Sequence, residues 1–191
     1  MNLPNKLTIS RIILIPILMA VYLIDAIPFN ALIACFIFIV AIITDHLDGH
    51  IARKRNMVTD FGKFLDPIAD KLVVTAGLLM LVADGTVPAP YGVIGLFIIL
   101  GRDFIVGVLR QIAVTKGIVI AADKLGKLKT LTQDIAIILL FIVSFDNSLG
   151  MLTFWGSDII AILAFITFGV SVLLTIISGT NYVVKNKEVF K

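Results

Sequence analysis

The sequence has little charge and almost no cysteine. Only 15% of its 191 residues are charged and 59% are hydrophobic, whereas soluble domains have about 25% charged and about 45–50% apolar residues. A chain of this size could not hide so much apolar surface in a water-soluble core, so the composition excludes a cytosolic enzyme and a disordered tail. The single cysteine, Cys35, excludes an intramolecular disulfide and therefore a secreted disulfide scaffold.

Lysine and arginine are also missing from every second connection between the apolar runs. Six runs approach the roughly 20 residues that a helix needs to cross hydrocarbon; they cover about 7–24, 26–44, 63–83, 89–115, 125–145 and 159–184. The alternating connections hold only acidic charges, from Asp25, Asp84, Asp146 and Asp158. The positive-inside rule therefore predicts an all-α integral membrane protein with six transmembrane helices in the cytoplasmic membrane. The net charge of +3 then reflects topology, and we expect no nucleic-acid partner.

The first eleven residues are short and polar, which predicts an N-terminal interfacial segment before the first span. We expect the first apolar run to remain in the protein, because Asp25 and Pro28 follow it where a signal peptide would have a small-residue cleavage site. No second domain, internal repeat or low-complexity linker is visible. The sequence therefore predicts one membrane domain over residues 1–191.

Four aspartates lie at the predicted cytoplasmic ends of the second and third runs. Asp45 and Asp48 are three residues apart, and Asp66 and Asp70 are four apart, so each pair shares a helix face. A carboxylate at membrane depth costs about 2.5–3.5 kcal/mol on insertion scales, so these charges need compensation. Because oxygen ligands suit Mg²⁺ or Mn²⁺, the pattern predicts a divalent-cation site. Basic residues around such a site favour a phosphate substrate, and its depth favours a lipid.

Other interpretations of the acids remain open at this point. The carboxylates could lie among the headgroups and pair with the basic residues Arg53–Arg55. His46 and His50 could form half of a zinc site, although no third ligand is visible. A cation transporter would need acids near the bilayer midplane, whereas these acids cluster at helix ends beside basic residues.

The motif Asp45-x-x-Asp48-Gly49-x-x-Ala52-Arg53, eight further residues, and Gly62-x-x-x-Asp66-x-x-x-Asp70 resembles the complete signature of the CDP-alcohol phosphotransferases. Every fixed position and every gap agrees. The resemblance implies two divalent cations, Mg²⁺ or Mn²⁺, bound by Asp45, Asp48, Asp66 and Asp70, with Asp70 also acting as general base. It implies contacts to the nucleotide or phosphates of a CDP-linked membrane lipid from Thr8, Gly49, Arg53 and Thr59. It further implies a homodimer, and the positive-inside rule predicts that the active site faces the cytoplasm.

The fourth run carries Arg102 and Arg110, which cost too much in a membrane helix to be idle. Their forked donors match a phosphate, so they favour an acceptor alcohol that is already phosphorylated. Together with Lys127 and Lys129 in the following loop, they resemble the family branch that joins CDP-diacylglycerol to sn-glycerol 3-phosphate. All four residues would then bind the acceptor phosphate.

Three alternatives to this acceptor site stay open. Inositol phosphate could be the acceptor, because it needs the same kind of pocket. The lysines could be simple topological charge. Arg110 could be the ion-pair partner of Asp103 or Asp134.

Overall fold

The computed structural model describes the backbone of residues 3–54, 60–116, 124–149 and 156–186. Within these ranges it describes the side chains of all residues except 3–7, 46–54, 60–64, 66–67, 114, 148–149 and 156–157. The regular secondary structure of the described chain is entirely α-helical. The helices are α1 (Leu3–Leu23), α2 (Asn30–Lys54), α3 (Asp60–Ala83), α4 (Tyr91–Thr115), α5 (Lys124–Leu149) and α6 (Gly156–Lys185).

Each predicted apolar run corresponds to one helix, but α1, α2, α3, α5 and α6 each extend beyond their run at one end or both. α2 continues ten residues past Thr44 to Lys54, so Asp45 and Asp48 belong to the same helix. α3 begins at Asp60 and therefore includes both Asp66 and Asp70. Helical hydrogen bonds are made within the backbone and do not require apolar side chains. The helices can therefore run on into the polar end of the bundle, and they carry both acid pairs there.

Three helical stretches of the described residues are long and apolar enough to cross a membrane. They cover Tyr91–Ala113, Lys124–Asn147 and Asp158–Lys185, and shorter apolar helical stretches cover Thr8–Leu23 and Asn30–Asp45. The bundle exposes many large apolar side chains, more than the surface of a water-soluble protein carries. The chain is therefore a helical membrane protein in which three helices qualify as spans by their own length and composition.

The helices pack around an apolar core. α5 packs along α6, and α1 packs against α2 and α3. Phe38 of α2, Leu78 and Leu81 of α3 and Phe141 of α5 are fully buried in this core, and the rings of Phe38 and Phe141 lie 5.8 Å apart. Because close-packed side chains resist displacement, this core fixes α2, α3 and α5 relative to one another.

A polar cluster joins α1, α3 and α5 where these helices end. The Tyr22 hydroxyl donates to the carboxylate of Asp84, and the Ser144 hydroxyl lies 2.7 Å from that of Tyr22. Asp84 also accepts a hydrogen bond of 2.8 Å from the backbone N–H of Thr86. The contacts bring together three helix ends that the charge pattern assigned to one side of the membrane.

The predicted interfacial segment at the N-terminus is wrong in one respect. α1 runs without a break from Leu3 to Leu23, so this segment is the first part of a bundle helix. Thr8 and Arg11 are each only 1% exposed, so they face the protein interior and not a membrane surface. The burial of Arg11 has a physical reason, because Asp45 of α2 supplies the opposite charge.

Candidate functional site

An ion pair joins α1 to the acidic end of α2. Nη1 of Arg11 lies 2.5 Å from Oδ1 of Asp45. The Arg11 side chain is buried, whereas 31% of the Asp45 side chain stays exposed. Arg11 therefore fixes the position of a carboxylate that a ligand can still reach.

A cavity of about 200 Å³ opens between α3, α4, α5 and α6. Charged and polar side chains dominate its wall, which includes Asp70, Lys71, Arg102, Asp103, Arg110, Lys127, Lys129, Thr130, Gln133 and Tyr182. The Asp70 carboxylate is repelled by the charges of Asp45 and Asp103 and attracted by those of Arg11 and Lys129. Asp70 is therefore the residue that connects the acidic end of α2 with the basic cavity.

Asp103 organises the basic side of the cavity. Its carboxylate accepts hydrogen bonds from Nζ of Lys129 at 3.0 and 3.1 Å and from Nη1 of Arg102 at 3.0 Å. Nζ of Lys71 donates to the Asp103 backbone carbonyl at 2.8 Å. The Lys129 side chain is only 3% exposed. Lys129 therefore lies in the cavity wall and is not simply a surface lysine that marks the cytoplasmic side.

The two arginines keep donors available for an anion. Nε of Arg102 is buried and has no hydrogen-bond partner among the described residues. Arg110 donates from Nε to the Tyr182 hydroxyl at 3.2 Å, and its guanidinium carbon lies 5.7 Å from the centre of the Tyr182 ring. The Arg110 fork is thus oriented by Tyr182, while Arg102 and Lys129 contact Asp103. Planar forks of this kind match the oxygens of a phosphate.

The cavity brings together five of the site residues predicted from the sequence, namely Asp70, Arg102, Arg110, Lys127 and Lys129. Thr8 is buried in α1, and Asp45 lies in its ion pair. The other predictions lie outside the described residues, either as side chains (His46, Asp48, Gly49, His50, Arg53 and Asp66) or entirely (Thr59). Within the described part of the chain, no group of three or more potential ligands among His, Cys, Asp and Glu lies together. The four-aspartate metal site therefore stays a prediction.

Three polar residues of the cavity wall were not predicted from the sequence as part of an acceptor site, namely Lys71, Gln133 and Tyr182. Gln133 lies four residues after Lys129. If the predicted fifth helix had included Lys129, the helical repeat would have placed Gln133 on the same face. The predicted loop around Lys127 and Lys129 is instead the start of α5, which begins at Lys124. No local pattern indicates Tyr182, because it reaches Arg110 across 72 positions of sequence.

The Arg102 side chain of α4 packs closely against Gly179 of α6. A Cβ atom added at Gly179 would lie 2.8 Å from Cγ of Arg102, closer than real Cβ contacts allow. We expect Gly179→Ala to displace the Arg102 side chain and to raise the KM for the phosphorylated acceptor by about tenfold, since a misplaced charged hydrogen bond loses about 1.5 kcal/mol or more. Steady-state kinetics with the acceptor varied would measure this.

The matched control for this substitution is Gly169→Ala on the same helix. A Cβ added there meets nothing within 4 Å, so we expect wild-type kinetics. Equal KM values for the two variants would show that Gly179 does not position Arg102.

The fold and the cavity define a helical membrane protein with a cavity lined by basic side chains next to carboxylates at one end of its bundle. The profile described as CDP-alcohol phosphatidyltransferase matches residues 1–177. The chain therefore belongs to the CDP-alcohol phosphatidyltransferase family and is a phosphatidyltransferase.

Individual relatives are similar over nearly the whole chain. A Bacillus subtilis (strain 168) protein is named CDP-diacylglycerol–glycerol-3-phosphate 3-phosphatidyltransferase. It is 41% identical to this chain over an alignment of 201 positions, which covers 100% of this chain and 97% of the relative. A Rickettsia bellii (strain RML369-C) protein of the same name is 38% identical over 189 residues, covering 99% and 97%. A cardiolipin synthase (CMP-forming) from Oryza sativa subsp. japonica is 37% identical over 166 residues, covering 78% of this chain and 48% of the relative.

Proposed function

We propose that this protein transfers the phosphatidyl group of CDP-diacylglycerol to sn-glycerol 3-phosphate, giving phosphatidylglycerophosphate and CMP. The observation that carries the proposal is the cavity that places Asp70 beside Arg102 and Arg110. A carboxylate next to forked cations suits an acceptor with a hydroxyl at one end and a phosphate at the other. The names of the Bacillus and Rickettsia relatives agree with this acceptor.

The proposed reaction follows from the chemistry of these residues. Arg102, Arg110, Lys127 and Lys129 bind the acceptor phosphate and leave its hydroxyl near Asp70. The Asp70 carboxylate takes the hydroxyl proton as the oxygen forms a bond to the β-phosphorus of the CDP-lipid. The bond from that phosphorus to the bridging oxygen breaks, and CMP leaves with the electron pair. Holding both reactants in this arrangement supplies much of the rate acceleration.

Asp45, Asp48, Asp66 and Asp70 would hold two divalent cations, Mg²⁺ or Mn²⁺. The donor set fits such ions, because it offers carboxylate oxygens only, and the charges of Asp45 and Asp70 repel each other without a bound cation. α2 and α3 also keep each acid pair within one helical turn. When bound, the cations would neutralise the diphosphate and stabilise the leaving group.

The CDP-lipid would contact Thr8, Gly49, Arg53 and Thr59, as the family resemblance implies. We place the protein in the cytoplasmic membrane with six spans, a cytoplasmic active site and a homodimeric assembly. Two features of the charge distribution support this orientation. The basic cavity lies apart from the Tyr22–Asp84–Ser144 cluster. The connections on the side of that cluster carry acidic residues and no lysine or arginine, as expected of the side opposite the cytoplasm.

Release of CMP by the purified protein tests the acceptor. The full chain would be assayed with CDP-diacylglycerol, Mn²⁺ or Mg²⁺, and in separate reactions glycerol 3-phosphate, inositol phosphate or phosphatidylglycerol. We expect turnover with glycerol 3-phosphate. Turnover with inositol phosphate alone would instead make the protein a phosphatidylinositol phosphate synthase, and turnover with phosphatidylglycerol alone would favour the activity named for the rice relative. Cation uptake into vesicles without any CMP release would indicate a transporter.

A further inference from the structure

Gln133 is a buried amide that the proposed reaction leaves unused. Its side chain is only 2% exposed, and both Nε2 and Oε1 lack a hydrogen-bond partner among the described residues. Leaving buried polar atoms unpaired destabilises a fold, so native proteins nearly always satisfy them. Because Gln133 lines the cavity with Asp70 and Arg102, a molecule bound in that cavity is the natural partner for the amide.

The position of Gln133 restricts what this partner can be. It lies on α5 one helical turn beyond Lys129, whose ammonium hydrogen-bonds Asp103. The cations of the wall attract the charged part of a ligand, whereas an uncharged amide offers one acceptor and two donor hydrogens. A hydroxyl group both donates and accepts, and so it matches an amide better than a phosphate or an ammonium does.

We propose that Gln133 determines acceptor specificity by hydrogen-bonding a hydroxyl that does not react. The inference rests on the proposed function, in which the acceptor is glycerol 3-phosphate. The terminal hydroxyl of this molecule gives up its proton, while the middle hydroxyl keeps both its donor and its acceptor capacity. Nε2 of Gln133 donates to the oxygen of this middle hydroxyl, and Oε1 accepts its hydrogen. Gln133 thereby selects a phosphorylated acceptor with two free hydroxyls over one with a single free hydroxyl.

Comparison of two acceptors tests the role of Gln133 separately from the reaction itself. The acceptors are glycerol 3-phosphate and 3-hydroxypropyl phosphate, which lacks only the middle hydroxyl. A site built to hydrogen-bond a hydroxyl rejects an analogue without it strongly, so we expect wild-type kcat/KM to favour glycerol 3-phosphate by at least about 100-fold. Gln133→Met, which removes the amide at nearly constant volume, should lower kcat/KM for glycerol 3-phosphate by about 100-fold and leave that for the analogue within about threefold.

Gln111→Met is the matched control, because Gln111 is an exposed glutamine on α4 outside the cavity wall; it should leave both kcat/KM values unchanged. A thermal shift with CDP-diacylglycerol checks that each variant is folded. If Gln133→Met does not fold, Gln133→Asn keeps the amide but withdraws it by one methylene, and it should reduce the preference in the same direction.

The other outcomes overturn the proposal. If Gln133→Met lowered kcat/KM equally for both acceptors, Gln133 would only stabilise the cavity wall. If the variant kept the wild-type preference for glycerol 3-phosphate, the amide would be hydrogen-bonded only by water. A wild-type protein that uses both acceptors equally well would overturn the role of Gln133 and leave the proposed function intact. If wild-type protein released no CMP with glycerol 3-phosphate, the proposed function and the inference would both fail.

Discussion

Asp70→Asn is expected to lower kcat for CMP release by about 10²–10⁴-fold, the contribution typical of a general base. Asparagine keeps the size of the side chain in the cavity wall but cannot take a proton from the acceptor hydroxyl. Binding of CDP-diacylglycerol should stay largely intact, because Asp70 is one of four proposed metal ligands. Single-turnover CMP release and a thermal shift with CDP-diacylglycerol would separate chemistry from binding.

Asp158→Asn is the matched control for Asp70→Asn. Asp158 is an exposed aspartate in the first turn of α6, in the connection that the charge pattern assigns to the opposite side of the membrane. We expect wild-type turnover from this variant. Substantial turnover by Asp70→Asn would remove Asp70 as the base and leave it, at most, a metal ligand.

Arg102→Gln is expected to raise the KM for glycerol 3-phosphate by about 10–100-fold, because a hydrogen bond to a charged group is worth about 1.5–3 kcal/mol. Two features of Arg102 make it the strongest candidate of the basic set. Its Nε is buried without a partner among the described residues, and Asp103 keeps Lys129 as a counter-charge when Arg102 is removed. The KM for CDP-diacylglycerol should not change, and kinetics with each substrate varied in turn would measure both values.

Two further variants define the role of Arg102. Arg102→Lys keeps the charge but not the planar fork, so we expect an intermediate KM. Lys127→Gln removes an exposed charge of the same cavity and should raise the KM only about twofold to fivefold, as exposed charges contribute little. A rise in the KM for CDP-diacylglycerol, without one for the acceptor, would move Arg102 from the acceptor pocket to the lipid-binding site.

Much of the fold follows from the sequence because the relevant signals are local. Six apolar runs predicted six helices, and each run corresponds to a described helix. The bounds differed most where charged residues begin, as at the end of α2, because hydropathy measures the environment of a side chain and not the helical state of its backbone. For the same reason the polar N-terminal residues were assigned to an interfacial segment, although they form the first turns of α1.

The candidate site was also predictable only in its local features. The spacing from Asp45 to Asp70 is a local property of two helices, and it was sufficient to indicate the family. The partners of individual side chains were not predictable in this way. Arg11 pairs with Asp45 across 34 positions, and Lys129 reaches Asp103 across 26. Such pairs depend on how the helices pack side by side, and the helical repeat along one helix carries no information about that packing.

The sequence by itself determined that this chain belongs in lipid and which ends of its helices carry basic charge, and it predicted a metal site from the spacing of four acids. Composition, charge alternation and helical spacing are each readable along a single chain segment. Only the tertiary structure decided that Asp70, Arg102, Arg110 and Gln133 share one cavity and that Tyr182 orients Arg110. The physical reason is that a cavity is the space left between packed helices, so its lining depends on which helix faces meet.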